Sequence, residues 1–291
     1  MTTITQEVTV TPTRKASRPA WLPKRWYTHL ILWIACFLLG LPLLYSFMIG
    51  TQNNAEVYTY KFGIGSTLQD NLVNALITRN LGQFMLNTIL VAFIITVGKT
   101  ILSLLSGLAF VYFRFPGKWI VYDFVLLTLM MPTEVLIIAL SRLVVQLDWP
   151  KNAYLLALTV PFLASATGTF LFRQHFANIP AELSEAAQLD GATPLQFLFQ
   201  ILIPVSWNTI GALAVIQFVY VWNMYLWPRI IVQDNSRQLI QVGLSTLVGT
   251  DTAMQFGPMM LGAVIASVPP VIVFVLLQKQ FMSGFALTRD K

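Results

Sequence analysis

Six long apolar runs leave this chain little choice of fold. A helix that crosses a bilayer needs about 20 consecutive apolar residues, and each run is long enough. His29–Gly50 carries no charged side chain, Phe84–Tyr112 is interrupted only by Lys99, and Trp119–Gln146 holds Asp123, Glu134 and Arg142. Asn152–Phe172, Trp207–Pro228 and Thr252–Gln278 are free of charge. Only 10% of the 291 residues are charged and 56% are hydrophobic, where a soluble domain carries roughly 25% charge. The pattern predicts an all-α, polytopic membrane protein with six transmembrane helices, over about 29–50, 84–112, 119–146, 152–173, 207–229 and 257–279. They form one domain over 25–291. Residues 1–24, Thr-rich and polar with Pro12 and Pro19, read as a disordered tail. No small-residue cleavage pattern follows the first run, so it reads as a retained helix rather than a removed signal peptide.

Lysine and arginine in the flanks set the expected orientation. With the N-terminus inside, the inner segments hold Arg14, Lys15, Arg18, Lys24, Arg25, Arg114, Lys118, Arg173, Lys279, Arg289 and Lys291. The outer segments hold Lys61, Arg79, Lys151, Arg229 and Arg237. Eleven against five predicts a multi-pass protein of the cell membrane with both termini cytoplasmic. The formal charge of +6 therefore reports topology; no clustered basic face suggests nucleic acid. Cys36 is the only cysteine, and only His29 and His175 join it, so neither a disulfide framework nor a metal site is offered. The tail of a phosphate-binding loop is mimicked by Gly98-Lys99-Thr100, but Phe93 stands where that loop needs its first glycine. No catalytic constellation is present, so the chain reads as a non-enzyme.

The outer segments Thr51–Gln83 and Ile230–Pro258 read as extramembranous, whereas the inner segment Phe176–Ser206 carries two sets of helix signals. Pro180 suits a first helical position and Glu182 the first turn, where its charge favours the helix dipole. Asp190-Gly191 ends that helix, with glycine supplying a left-handed cap. Thr193, Pro194 and Gln196 then have the spacing of a capping box. The second helix is expected to end at Ile203 before Pro204, with Leu195, Leu198 and Leu202 on one apolar face. Two roles stay open on these grounds: an amphipathic pair resting on lipid headgroups, or a docking element for a partner.

Glu185, Ala186, Ala187, Asp190, Gly191, Ala192, Ile201 and Pro204 stand where the last large inner loop of carbohydrate-uptake ABC importer permeases reads Glu-Ala-Ala, two residues, Asp-Gly-Ala and a closing Ile-x-x-Pro. Phe113-Arg114-Phe115-Pro116, Leu129–Val135, Phe170–Gln174 and Trp222–Pro228 also resemble this family. Over roughly 25–288 the chain resembles the maltose-type permeases, with these last segments looking most like the glycerol-3-phosphate subgroup. One departure is Trp207-Asn208, where many relatives carry Lys-Pro; it alters how the fifth helix begins. The resemblance implies a machine built with a second permease subunit in a heterodimer, two ABC ATPase subunits and an extracytoplasmic solute-binding protein. ATP would be hydrolysed by the partner ATPase, with no cofactor on this chain. The loop of Glu185, Ala186, Ala187, Asp190, Gly191 and Ala192 would couple it to transport, the small residues fitting a groove. An ion-coupled secondary transporter is the alternative.

Ionisable residues inside a membrane helix are functional candidates. Counting about 1.5 Å per residue from the inner ends puts Lys99, Glu134 and Asn223 all about 20–24 Å deep. In one reading Lys99 pairs with Glu134 between neighbouring helices, beside a kink at Pro132. In the other, Glu134 and Asn223 face a polar pathway, with Lys99 and Tyr220 on it and aromatic side chains around Asn223 suited to sugar faces. Trp227 and Tyr225 read as an interfacial aromatic belt. The run Ala164–Thr169 reads as a packing seam or a pore lining.

Overall fold

The computed structural model describes residues 26–247 and 254–286, apart from the side chains of Trp26, Glu134, Phe285 and Ala286. The expected tail over 1–24 lies outside these residues. All regular structure among them is helical. The chain divides into two compact units after Leu44. The first holds most of α1 (Trp26–Gly50). That helix is apolar on every side: Trp33 is 75% and Leu39 81% exposed. Water would not tolerate such a helix, and lipid requires it.

In the second unit, α2 (Asn54–Tyr58) and α3 (Leu68–Val73) occupy the first expected outer segment. A reciprocal capping box between Asn53 and Glu56 starts α2. Then comes α4 (Leu81–Tyr112), the long helix on which the unit is assembled. Three helices, Tyr27–Gly50, Leu81–Tyr112 and Phe256–Gly284, are each long and apolar enough to cross a membrane, and two bent pairs bring the candidates to five.

The departures from six straight spans occur at prolines. The third expected span is split into α5 (Lys118–Thr128) and α6 (Thr133–Gln146). Pro132 has no N–H, and its ring would strike the Thr128 carbonyl in a continuous helix. The fourth becomes α7 (Trp149–Asn152), α8 (Tyr154–Thr159), a 3-10 turn over Val160–Phe162 and α9 (Ala166–Ala177), the last two parts bent by 46°. Here the break follows Pro161. Ser165 restarts the helix as its N-cap, its Oγ accepting from the Gly168 N–H at 3.0 Å.

After α9 come the loop helices α10 (Ala181–Leu189), α11 (Pro194–Phe197) and α12 (Ile203–Val205). The fifth expected span is α13 (Trp207–Trp222) and, beyond Asn223–Tyr225, α14 (Leu226–Ile231). Pro228 would strike the Met224 carbonyl, so the helix stops and restarts. The chain continues through α15 (Ile240–Leu247) to α16 (Phe256–Ala286), two turns longer than expected. The second outer segment is less solvated than its sequence suggests. Leu239 and Ile240 are fully buried, and the Ile240 N–H donates to Thr88 Oγ1 of α4 at 2.8 Å.

Tryptophans repair two proline breaks. Pro161 cannot donate to the Ala157 carbonyl four residues back, nor Pro270 to that of Ala266. Trp227 Nε1 donates to Ala157 O at 3.2 Å, and Trp222 Nε1 to Ala266 O at 3.0 Å. Trp227 is 1% exposed and meets Phe162 edge-on, so the expected place in an interfacial belt is corrected: it is a core residue. The reason is that its indole satisfies a carbonyl that would otherwise be buried unpaired.

In this second unit α13 packs against α16 and α4, and α4 against α9. Where α4 meets α9, Gly168 lets Ser103 approach more closely than any Cβ would allow, and Ser106 and Thr169 share a hydroxyl hydrogen bond of 2.8 Å.

Candidate functional site

The loop over 180–206 is built from local signals. Its first helix, α10, ends in a Schellman motif: the Gly191 N–H donates to Gln188 O at 3.1 Å and the Ala192 N–H to Ala187 O at 2.9 Å. Gly191 sits at φ +73°, where an L side chain is strained. At Thr193 the capping box is complete. The Thr193 N–H donates to Gln196 Oε1 at 2.8 Å, and the Gln196 N–H to Thr193 Oγ1 at 3.3 Å. After Phe197 the helix widens into a π turn over Leu198–Leu202. The extra residue in that turn shifts the register. Phe197, Leu198 and Leu202 point inward, while Leu195, expected on the same face, is 55% exposed.

That inward face is an anchor. Ala187, Phe197, Leu198 and Leu202 form one core cluster with Leu104 and Leu108 of α4, Phe172 and Phe176 of α9, and Leu213 of α13. Ring packing of Tyr112 on Phe197, edge-on at 5.1 Å, closes its edge. The six residues singled out in sequence therefore divide. Ala187 is 6% exposed and belongs to the anchor, Ala192 is half-buried beside it, and Glu185, Ala186, Asp190 and Gly191 face outward. The expectation that Ala187 enters a partner's groove is corrected by this burial against its own chain. A bend of 79° separates the loop helices from α13.

The second feature is a cleft of about 390 Å³ where the broken helices meet. Its wall includes Thr128, Leu129 and Met131 at the α5 end, Thr133 at the α6 start, and Ala164–Thr167 around the α9 start. The small-residue run is shared: its first four residues line the cleft, and Gly168 and Thr169 pack on α4. Lys99 enters from α4 and Gln217 and Tyr220 from α13. Lys99 Nζ donates to Gln217 Oε1 at 2.9 Å and lies 5.1 Å from the Tyr220 ring centroid. A neighbouring cleft of about 340 Å³ shares Thr133, Phe162 and Tyr220 and reaches Asn223.

Three of the four expected pathway residues, Lys99, Tyr220 and Asn223, therefore line these two clefts. Glu134 follows Thr133 in the first turn of α6, but its side chain lies outside the described residues, and so does the expected pairing with Lys99. Asn223 caps α13; its Nδ2 donates to Val219 O at 2.8 Å and its Oδ1 accepts from Gln241 at 3.3 Å. Gln217 is not among the residues expected from sequence, which are Lys99, Glu134, Tyr220 and Asn223. It is the one amide between Thr209 and Trp222 in an otherwise apolar helix, which is the signal that could have found it.

The sequence model of the family described as binding-protein-dependent transport system inner membrane component matches residues 99–285, from the cleft lysine to the end of α16. The chain belongs to this family. Among similar permeases, the sn-glycerol-3-phosphate transport system permease protein UgpE of Pectobacterium atrosepticum is 38% identical over 267 residues, covering 89% of this chain and 94% of that protein. Its namesake in Rhizobium meliloti is 38% identical over 270 residues, with 89% and 95% covered. A solved bacterial ABC transporter involved in import of the acidic polysaccharide alginate superposes with a TM-score of 0.74 at 20% identity, over 88% of this permease and 95% of that chain. That likeness is one of fold. Membership identifies the chain as a multi-pass, non-enzymatic permease component of a binding-protein-dependent ABC importer. It also decides against the secondary-transporter alternative.

Proposed function

We infer that this permease component crosses the inner membrane of a bacterial or archaeal cell six times, with both termini cytoplasmic and 25–291 as its transmembrane domain. The passes are α1, α4, α5 with α6, α8 with α9, α13 with α14, and α16. Segment 180–206 is the element through which a separate ATPase drives it. The observation that carries this reading is the division of the loop into two faces. Glu185, Ala186, Asp190 and Gly191 are exposed, while the opposite face is anchored on α4, α9 and α13. Small residues permit close approach by a partner, and Glu185 offers a carboxylate to a basic residue. A push on the loop is thereby delivered to three transmembrane helices at once.

The machine comprises this chain, a second permease, two ATPase subunits that bind and hydrolyse ATP, and an extracytoplasmic binding protein. ATP-driven closure of the ATPases reorients the helices and moves the cargo by alternating access, along a pathway past Tyr220, Asn223, Glu134 and Lys99. A glycerol-3-phosphate-like polyol phosphate is the favoured cargo, supported by permeases 38% identical over 89% of the chain; a carbohydrate is the second choice.

Gly191→Pro tests the coupling role. Proline cannot adopt φ +73° and lacks the N–H given to Gln188. In the reconstituted importer the variant should assemble and retain basal ATP hydrolysis while losing cargo uptake and its stimulation of hydrolysis by ten-fold or more. Normal stimulated hydrolysis in an assembled variant would sink the assigned role.

A further inference from the structure

Among the described residues Lys99 is the one cation lining the cleft of about 390 Å³, and it is 8% exposed. Its two described neighbours are neutral: the Gln217 amide oxygen at 2.9 Å and the face of the Tyr220 ring at 5.1 Å. Among the described residues the ion pairs are Lys61 with Glu56 and Arg237 with Asp234, and neither involves Lys99. A cation inside a membrane bundle is costly, and persists where a pathway or counter-ion uses it. The ammonium has three donors; the amide takes one and the ring faces the charge, which leaves donor capacity for an incoming oxyanion. Ser165 and Thr167 line the same cleft with hydroxyl groups, and its volume lies within the roughly 300–1,000 Å³ of small-molecule sites.

We propose that Lys99, held by Gln217 and Tyr220, is the anion-recognition site of the translocation pathway, and that it engages the phosphate of a phosphorylated cargo as it crosses. The proposal rests on the permease reading above and deepens it by fixing the charge of the cargo. Gln217 positions the amine without neutralising it, as an amide can and a carboxylate cannot. A neutral sugar would accept a hydrogen bond from this amine but leave its charge uncompensated.

The decisive variant is Gln217→Glu. It keeps the shape and places a carboxylate on Lys99, so a purely structural lysine would be held at least as well as before. The complete importer, with its ATPase and binding protein, is placed in phosphatidylcholine proteoliposomes and offered labelled sn-glycerol-3-phosphate. Gln217→Glu and Lys99→Gln should each lower maximal uptake at least ten-fold, while Lys99→Arg stays within about three-fold and all three assemble with the ATPase and the binding protein. Wild-type uptake in Gln217→Glu overturns the proposal, even if Lys99→Gln fails to fold. A loss that appears only when anionic lipid is added points to a lipid phosphate on Lys99 and also overturns it. Import of neutral sugars alone by the wild type overturns the anion site and leaves the permease reading standing. No ATP-driven uptake of any cargo fails the permease reading itself.

Discussion

The loop over 180–206 and the broken helices around the cleft both interrupt apolar sequence with prolines, yet they satisfy the freed backbone differently. In the loop every replacement partner is close in sequence: Gly191 and Ala192 donate back to α10, and Thr193 and Gln196 cap each other. Around the cleft and α16 two of the partners are remote. The carbonyl that Pro161 leaves unpaired is met by Trp227, 70 residues on, and the one left by Pro270 is met by Trp222, 44 residues back. A locally closed segment can act as a rigid lever. A segment that relies in part on distant side chains has its geometry tied to helix packing, and so changes when the helices move.

The comparison is broken most directly at the loop's anchor. Leu202 is fully buried among Phe172, Phe176 and Leu213. Leu202→Ala should destabilise the solubilised permease by about 2–5 kcal/mol, read as a fall in its thermal unfolding midpoint, with uptake reduced in step. Leu195→Ala is the matched control. Its side chain is 55% exposed, so its effect should stay within about 0.5 kcal/mol. Equal losses at both positions would restore the single apolar face read from sequence.

At the cleft the corresponding test is Trp227→Phe. The ring volume is largely kept, but the Ala157 carbonyl loses the indole donor in a buried setting. A cost of about 1–3 kcal/mol is expected, with the 46° bend between α8 and α9 disturbed and uptake lowered. The check is the unfolding midpoint together with labelling of Thr167→Cys by a polar maleimide in a Cys36→Ser background, which removes the exposed free thiol. An unchanged midpoint would mean that Trp227 only fills space.

The same contrast separates what is legible in the sequence from what is not. Helix caps and the Gly191 turn depend on residues within six positions of each other, so the roles of Thr193, Gln196 and Gly191 can be read from the chain alone. Hydropathy also locates the apolar stretches, because lipid exposure is a property of whole windows. It averages over the breaks at 129–132, 163–165 and 223–225, since Leu129, Met131 and Leu163 are as apolar as any span. Pro132, Pro161 and Pro228 announce that helices must yield there. They cannot announce that the gaps converge on one cleft, because convergence depends on how α4, α9 and α13 pack. Ala187 shows the same limit: its spacing fits either face of α10, and only the cluster with Leu104 and Phe172 assigns it inward.

The smallest effect distinguishes capping from anchoring. Thr193→Ala removes the oxygen that accepts from the Gln196 N–H at 3.3 Å, but leaves Gln196 Oε1 on the Thr193 N–H at 2.8 Å. Half of the reciprocal box survives, so the cost should be about 1 kcal/mol. Amide exchange over 195–198 should quicken by roughly five-fold, since 1.4 kcal/mol is a factor of ten, and Thr193→Ser should restore it. Uptake should remain within two-fold, because Leu198 and Leu202 still hold the loop against α4, α9 and α13. If Thr193→Ala instead matched Leu202→Ala in lost stability and lost uptake, local closure would be what keeps the loop in place. The buried face would then be secondary, and the contrast between a locally closed lever and a remotely closed cleft would sharpen into one between capping and packing.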